Sequence, residues 1–425
     1  MDASENNLIV EAGFLRALTV LRKMKRNGDK NKMGLNSNKW VRRTSVPGIA
    51  EMNFLAEELR KKGEELVNFG QAIPFYPPSR EVLKLFREKI QADDIHRYSP
   101  DPGLASLRDD WCRILQEKFS LIVDPDTEIL ITAGANQAYL TAVMTLMNPG
   151  DRVGLISPWY FNHAMALSMT GVECVEIRLS EESGYQINPE SILKIVDEKQ
   201  IKAITLVTPN NPTGVTYNPQ TVKALAEGLI ARGVYLIVDE TYAFFPEPGL
   251  RHFSPGVLEE HPDMVITIGS FSKTFALTGW RVGYMIADSD LIKEMLKVHD
   301  TMVICASRPG QVLVRICLEK AWSWLEDRYA ELERRQVILN NYSARFAPWK
   351  VRSNGLFFAF IDGPIDGRIA VKKILEERGV ILIPGDVFGS GLEKSFRLSA
   401  GCTGEPEFLR GLEKLSDFFG NYQAD

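Results

Sequence analysis

Cysteine and histidine are scarce in this 425-residue chain, five of each. Neither is arranged for metal or disulfide chemistry. Cys112, Cys174, Cys305, Cys317 and Cys402 are scattered, with no CxxC pair. That pattern excludes a zinc ribbon and fits reduced thiols in a cytosol-like compartment. The histidines form no cluster that would hold a metal ion. No apolar run approaches the ~20 residues that a membrane-spanning helix requires. A basic excess is missing as well: 50 Lys and Arg face 55 Asp and Glu, for a net charge of −5. No global field therefore points to nucleic acid. The start of the chain does not read as a secretory signal, because Asp2 and Glu5 come first and Glu11 and Arg16 break the apolar patches near Leu8 and Phe14. The expectation is a cytoplasmic protein without nucleic-acid or membrane partners.

What is present is the composition of an ordinary globular protein, long enough for two domains. Residues 1–45 differ from the rest. Leu8–Met24 has the pattern of an amphipathic helix, a basic stretch follows, and Asn27-Gly28 is a break. This segment reads as a poorly ordered extension or an arm across a partner subunit. From about Leu130 to Ala287, short apolar runs alternate with helical patterns. The expected strands are Glu128–Thr132, Arg152–Ser157, Glu173–Ile177, Ala203–Val207, Tyr235–Val238, Met264–Ile268 and Val282–Ile286. Continuous apolar strands alternating with helices predict an α/β fold: a mostly parallel seven-stranded sheet with helices on both faces. Residues 289–345 read as long helices. Gly355–Ile361, Val380–Ile383 and Ser395–Ser399 read as strands of a smaller α+β domain. The division expected is a large domain over 96–299 and a small domain built from 46–95 and 300–425.

Ligands of such sheets bind in loops beyond the strand carboxyl ends, and residues with chemistry fall there. Ser270-Phe271-Ser272-Lys273 follows a strand, with Arg281 shortly after. A lysine supplies an amine for Schiff-base chemistry, while Ser270, Ser272 and Arg281 can hold a phosphate dianion. Asp239, in Val238-Asp239-Glu240-Thr241-Tyr242, ends an apolar strand. It suits either a helix cap or a partner for a protonated ring nitrogen. Pro209-Asn210-Asn211-Pro212-Thr213-Gly214 is a turn former with an amide to donate. Thr132-Ala133-Gly134-Ala135-Asn136 opens a helix whose free N–H groups can bind phosphate. Arg397, in Ser395-Phe396-Arg397-Leu398-Ser399, offers a fork for a carboxylate. Each signal alone has a bland alternative; their order is what decides.

In that order the segments NNPTG, DETY, SFSK, GWRVGY and FRLS resemble the pyridoxal 5′-phosphate (PLP)-dependent aminotransferases of fold type I, the class I/II group related to aspartate aminotransferase. The resemblance covers about 46–425 and implies a role for each matching position. Lys273 would carry PLP as a Schiff base and shuttle a proton. Asp239 would pair with the pyridine nitrogen, and Asn211 and Tyr242 with the phenolic oxygen. Ala135, Asn136, Ser270, Ser272 and Arg281 would hold the phosphate. Arg397 would clamp the substrate α-carboxylate. In Pro158-Trp159-Tyr160, Tyr160 would stack on the ring, with Trp159 as the alternative. Asn68-Phe69-Gly70-Gln71 resembles the family's glycine loop, with Gly70 over the substrate. Tyr98 resembles a tyrosine that reaches the neighbouring subunit's phosphate, which implies a homodimer with shared sites. The substrates implied are an L-amino acid and a 2-oxo acid in a ping-pong reaction. A lyase or other amino-acid-modifying enzyme of the same fold is the alternative. Ile73, Phe75, Tyr76 and Trp159 suggest an aromatic or large apolar substrate side chain. Arg308 stands where small or apolar residues are usual and reads either as a substrate contact or as a structural arginine.

Overall fold

The computed structural model describes residues 37–45, 48–258 and 262–422. The expected helix Leu8–Met24 and its break at Asn27-Gly28 lie outside them. Strands are numbered in chain order. β1 (Val67–Asn68) belongs to the smaller domain. The central sheet holds β2 (Ile129–Thr132), β3 (Arg152–Ser157), β4 (Glu173–Arg178), β5 (Ala203–Val207), β6 (Tyr235–Asp239), β7 (Val265–Ser270) and β8 (Gly283–Ile286). Their spatial order is β2-β8-β7-β6-β5-β3-β4. All neighbours are parallel except β8, which runs antiparallel to both β2 and β7. β5, β7 and β8 are buried along their whole length, as a sheet covered on both faces requires.

The topology explains where the chemistry gathers. Val207, Asp239 and Ser270 end three adjacent parallel strands, with Val207 opposite Asp239 in register. β8 enters from the opposite direction, so its first residue, Gly283, pairs with both Ser270 and Thr132. One antiparallel strand thus brings Arg281 and the helix Ala135–Leu146 to the same edge as Asp239 and Lys273.

The smaller domain is an antiparallel sheet, β12 (Ile383–Pro384), β13 (Ser395–Ser399), β10 (Phe358–Asp362) and β9 (Lys350–Asn354) in that order, beside a parallel pair of β1 with β11 (Val380–Ile381). Its core joins Met52, Ala56, Val67 and Phe69 to Trp349, Phe396, Phe408 and Phe419. Trp349 and Phe419 stack with ring centroids 4.8 Å apart. Burial of aromatics of this size is worth roughly 1.5–3 kcal/mol each, which ties the segment after residue 48 to the C-terminal one. The helices Arg80–Lys89 and Arg308–Lys320 instead share a core with Trp111, Ile131 and Tyr284 of the large domain: Val82, Phe86, Leu313 and Val314 all belong to that cluster.

Two expected strands differ. Gly355–Ile361 begins as the turn of a hairpin and is strand only from Phe358 on: the Gly355 amide donates to Phe358 O at 2.9 Å and the chain reverses between β9 and β10. β9 (KVRSN) is polar and pairs on one side only, so no apolar alternation announces it. Val380–Ile383 divides between two sheets, Val380 and Ile381 with β1, Ile383 with β13. Among the described residues no helix is long and apolar enough to cross a membrane.

Candidate active site

A cavity of about 360 Å³ opens beyond the carboxyl ends of β5, β6 and β7. Of the residues singled out in the sequence, Ala135, Asn136, Tyr160, Asn211, Asp239, Tyr242, Ser270, Ser272, Lys273, Arg281 and Arg397 all line it. Gly70 contributes its carbonyl to Arg397 from just outside. Tyr98 does not reach the cavity of its own chain, and its ring is 72% exposed.

Lys273 sits in a four-residue helical turn directly after β7, capped by the Ser270 hydroxyl, which accepts from the Ser272 amide at 3.2 Å. Its Nζ donates to the Ala72 carbonyl. Burial, helped by the positive charges of Arg397 and Arg281 and opposed by Asp239, pulls its pKa down to about 8. The amine therefore gives up its proton far more readily than an ordinary lysine, and the neutral form is the one that attacks a carbonyl.

Asp239 is also buried. Burial alone would raise its pKa, but the hydrogen bond and charge of His163 and the bonds from Thr241 outweigh it and hold the carboxyl below its ordinary value. His163 Nε2 lies 3.3 Å from Asp239 Oδ2, and the Thr241 amide donates to Oδ1 at 3.0 Å. The imidazole is held against the Tyr139 ring, centroids 4.0 Å apart. An ionised carboxylate thus faces the cavity in a dry setting where its field is little screened.

Arg397 lies mid-way along β13, 2% exposed. Nη1 donates to Asn211 Oδ1 at 2.7 Å and Nη2 to the Gly70 carbonyl, while Nε has no partner. The rings of Phe358 and Phe388 flank the guanidinium at 4.8 and 5.3 Å. Because Asn211 spends its oxygen on Arg397, its amide nitrogen is left to donate into the cavity. Tyr242 is buried against Phe357 and Phe358, and burial pushes its hydroxyl well up, so it stays a neutral donor.

At the other end of the cavity, the helix Ala135–Leu146 begins after Gly134, whose φ is +86°. A Cβ on Gly134 would lie 2.4 Å from Arg281 Nη2, so only glycine lets the guanidinium approach the helix N-terminus. Ser272 Oγ is buried there without a hydrogen-bond partner.

Tyr160, not Trp159, lines the cavity; Trp159 packs against the core under the sheet. Of the apolar residues expected around a substrate side chain, only Ile73 does so. Phe75 lies under the Arg335 guanidinium at 3.5 Å, and Tyr76 turns away to donate to the Lys273 carbonyl at 3.2 Å. The apolar wall comes instead from Ile49 and Phe161, with Asn53 beside them. Ile49 and Asn53 are one turn apart on the helix Gly48–Lys61 and share a face. Neither they nor His163 carried a signal in the sequence.

The sequence profile described as "Aminotransferase class I and II" matches residues 64–413. The chain is 30% identical, over 88% of its own length and 93% of the other's, to a protein named Aromatic aminotransferase ISS1 from Arabidopsis thaliana. This chain belongs to the class I and II aminotransferases. Among solved structures, aspartate aminotransferase from Thermus thermophilus with maleate superposes with a TM-score of 0.83, at 27% identity, covering 91% of this chain and 100% of that one. The aromatic aminotransferase from Pyrococcus horikoshii gives 0.79 at 26% identity, with 85% and 98% covered. The aminotransferase described here is thus a transferase enzyme of fold type I.

Proposed function

We propose that this aminotransferase moves the amino group of an L-amino acid with an aromatic or other large apolar side chain to a 2-oxo acid by a ping-pong mechanism, with PLP held on Lys273. The observation that carries this reading is one cavity lined by a lysine of lowered pKa, a buried ionised aspartate and a buried arginine. The donor set fits the cofactor. The Ser272 hydroxyl is buried without a partner, and the Gly134 cradle beside Arg281 is room that a Cβ would fill. When bound, PLP supplies an electron sink for the pair released at the substrate Cα.

The chain's own residues do the rest. Lys273 would hold the cofactor through its amine and supply the base that takes the proton from the substrate Cα. Asp239, oriented by His163, keeps the ring nitrogen protonated. Asn211 and Tyr242 donate to the phenolic oxygen. Ala135, Asn136, Ser270, Ser272 and Arg281 would hold the phosphate, and Tyr160 would lie against the ring. Arg397 exchanges the Gly70 carbonyl for the substrate α-carboxylate. We further propose a cytoplasmic homodimer in which Tyr98 serves the other subunit's phosphate. The two-domain division is proposed in altered form: the helices Arg80–Lys89 and Arg308–Lys320 move from the expected small domain of 46–95 and 300–425 to the large one, with which they share a core.

The substrate class rests on charge. The cations lining the cavity are Lys273, Arg281 and Arg397, and each already has a task. Among the described residues no lining cation remains for a distal carboxylate, while Ile49, Ile73 and Phe161 offer an apolar wall. Two of the relatives above carry "aromatic" in their names. A donor panel read by loss of the cofactor's visible band tests this. Phenylalanine, tyrosine or tryptophan should react at least about tenfold more efficiently than aspartate, since an unpaired carboxylate pays desolvation in such a wall. Preference for aspartate would overturn the assignment of the side-chain pocket.

A further inference from the structure

Arg308 lies outside the cavity, and nothing in the proposed chemistry uses it. It opens the helix Arg308–Lys320, and its side chain reaches the segment that carries Tyr98. Nη1 donates to the Tyr98 carbonyl at 3.1 Å, and Nη2 meets Asp94 Oδ2 at 2.5 Å. The arginine side chain is only 20% exposed. A planar fork can serve two acceptors in different directions at once, which an ammonium cannot do with the same geometry.

The same helix end secures the residues that follow. Gln311 Nε2 donates to Ser99 Oγ at 2.9 Å, and its Oε1 accepts from the Leu104 amide at 2.7 Å. Between them Gly103, at φ +102°, lets the turn close: a Cβ there would sit 2.5 Å from Ile131 Cγ1 and 3.1 Å from Gln311 Oε1. The segment from Asp94 to Leu104 is therefore held at four points by Arg308 and Gln311. Tyr98 itself is different. Its main chain is fixed, yet its ring is 72% exposed and makes no hydrogen bond or ring contact among the described residues. A fixed backbone that offers a free aromatic has already lost the conformational entropy that docking would otherwise cost.

We propose that Arg308 is a positioning residue, which fixes the main chain at Tyr98 so that the phenol meets the cofactor phosphate of the other subunit. The inference rests on the shared-site reading above and assigns Arg308 a part in it. It separates Arg308 from substrate: the residue acts on cofactor retention through Tyr98 and leaves donor preference untouched.

The test is a double-mutant cycle read by PLP dissociation from the purified holoenzyme, with sedimentation confirming equal assembly of every variant. Tyr98→Phe removes one hydrogen bond to a charged group and should weaken retention about tenfold or more. Arg308→Met should weaken it several-fold when Tyr98 is present and by less than about twofold when position 98 is phenylalanine, because the two changes act on one interaction. Asp94→Ala should behave in the same way and keeps the test decisive if Arg308→Met folds poorly. Equal factors in both backgrounds, or no weakening by Arg308→Met and Asp94→Ala, would overturn the positioning role alone. No effect of Tyr98→Phe would overturn the shared-site reading and the inference with it.

Discussion

Lys273→Ala is expected to lower turnover on the order of 10⁴-fold or more, because one side chain supplies both the attachment point and the proton transfer. Borohydride should fix the cofactor on the Lys273 peptide of the native enzyme and on no peptide of the variant. The loss should not come from unfolding, and the pKa of Lys273 makes that checkable. Its folded value, about 8, lies below its ordinary 10.5. Below pH 8 the folded and unfolded chains both hold the proton, and the folded one carries a buried charge. Between about 8 and 10.5 the unfolded chain binds more protons, so the stability of the cofactor-free protein rises with pH across that window. Relative to Lys273→Ala, the cofactor-free native chain should therefore gain melting temperature from pH 8 to 10.5, and at pH 7 the variant should be no less stable. Normal activity in Lys273→Ala would remove the residue from the chemistry.

Arg397→Leu is the second large effect. The guanidinium is buried, bonded to Asn211 and Gly70, and enclosed by Phe358 and Phe388. A leucine fits that apolar surround, so the fold should survive. What is lost is a charge-assisted fork for the α-carboxylate, worth roughly 2–5 kcal/mol, which is about 30-fold to several thousand-fold in KM. Since every amino-acid donor has an α-carboxylate, phenylalanine and aspartate should lose efficiency by similar factors, and their ratio should stay near its native value. Arg397→Lys should recover only part of the loss, lacking the fork. An unchanged KM would exclude Arg397 from substrate binding. A loss confined to aspartate would make it a side-chain contact instead.

The parts legible in the sequence were those where one residue type answers to one local requirement. Ala203–Val207 is apolar throughout because both faces of β5 are covered, and it appears at its predicted bounds. Asp239, Ser270 and Ala135 sit at strand ends or a helix start, where short motifs mark position well. The substrate wall was less legible. Phe75, Tyr76 and Trp159 are aromatic and lie in the right segments, but an irregular loop has no period to say which side faces in. Tyr76 turns away from the cavity and stays buried, because its hydroxyl finds the Lys273 carbonyl and its ring packs edge-on against Trp324 at 5.2 Å. His163 is one of five histidines without pattern, and only the fold brings it to Asp239. Ile49 and Asn53 look like any face of an amphipathic helix until that helix is set beside the cavity. Arg308 carries a role only once the Tyr98 turn is folded against it.

Amino transfer itself is tested most directly by mixing the holoenzyme with one aromatic donor and no acceptor. The residues described here should stop after a half-cycle: each protomer releases a single equivalent of the 2-oxo acid, the cofactor retains the amino group, and turnover resumes only when a 2-oxo acid is added. Continued release beyond one equivalent, accompanied by free ammonia, would contradict amino transfer and assign the same lysine and cavity to an elimination.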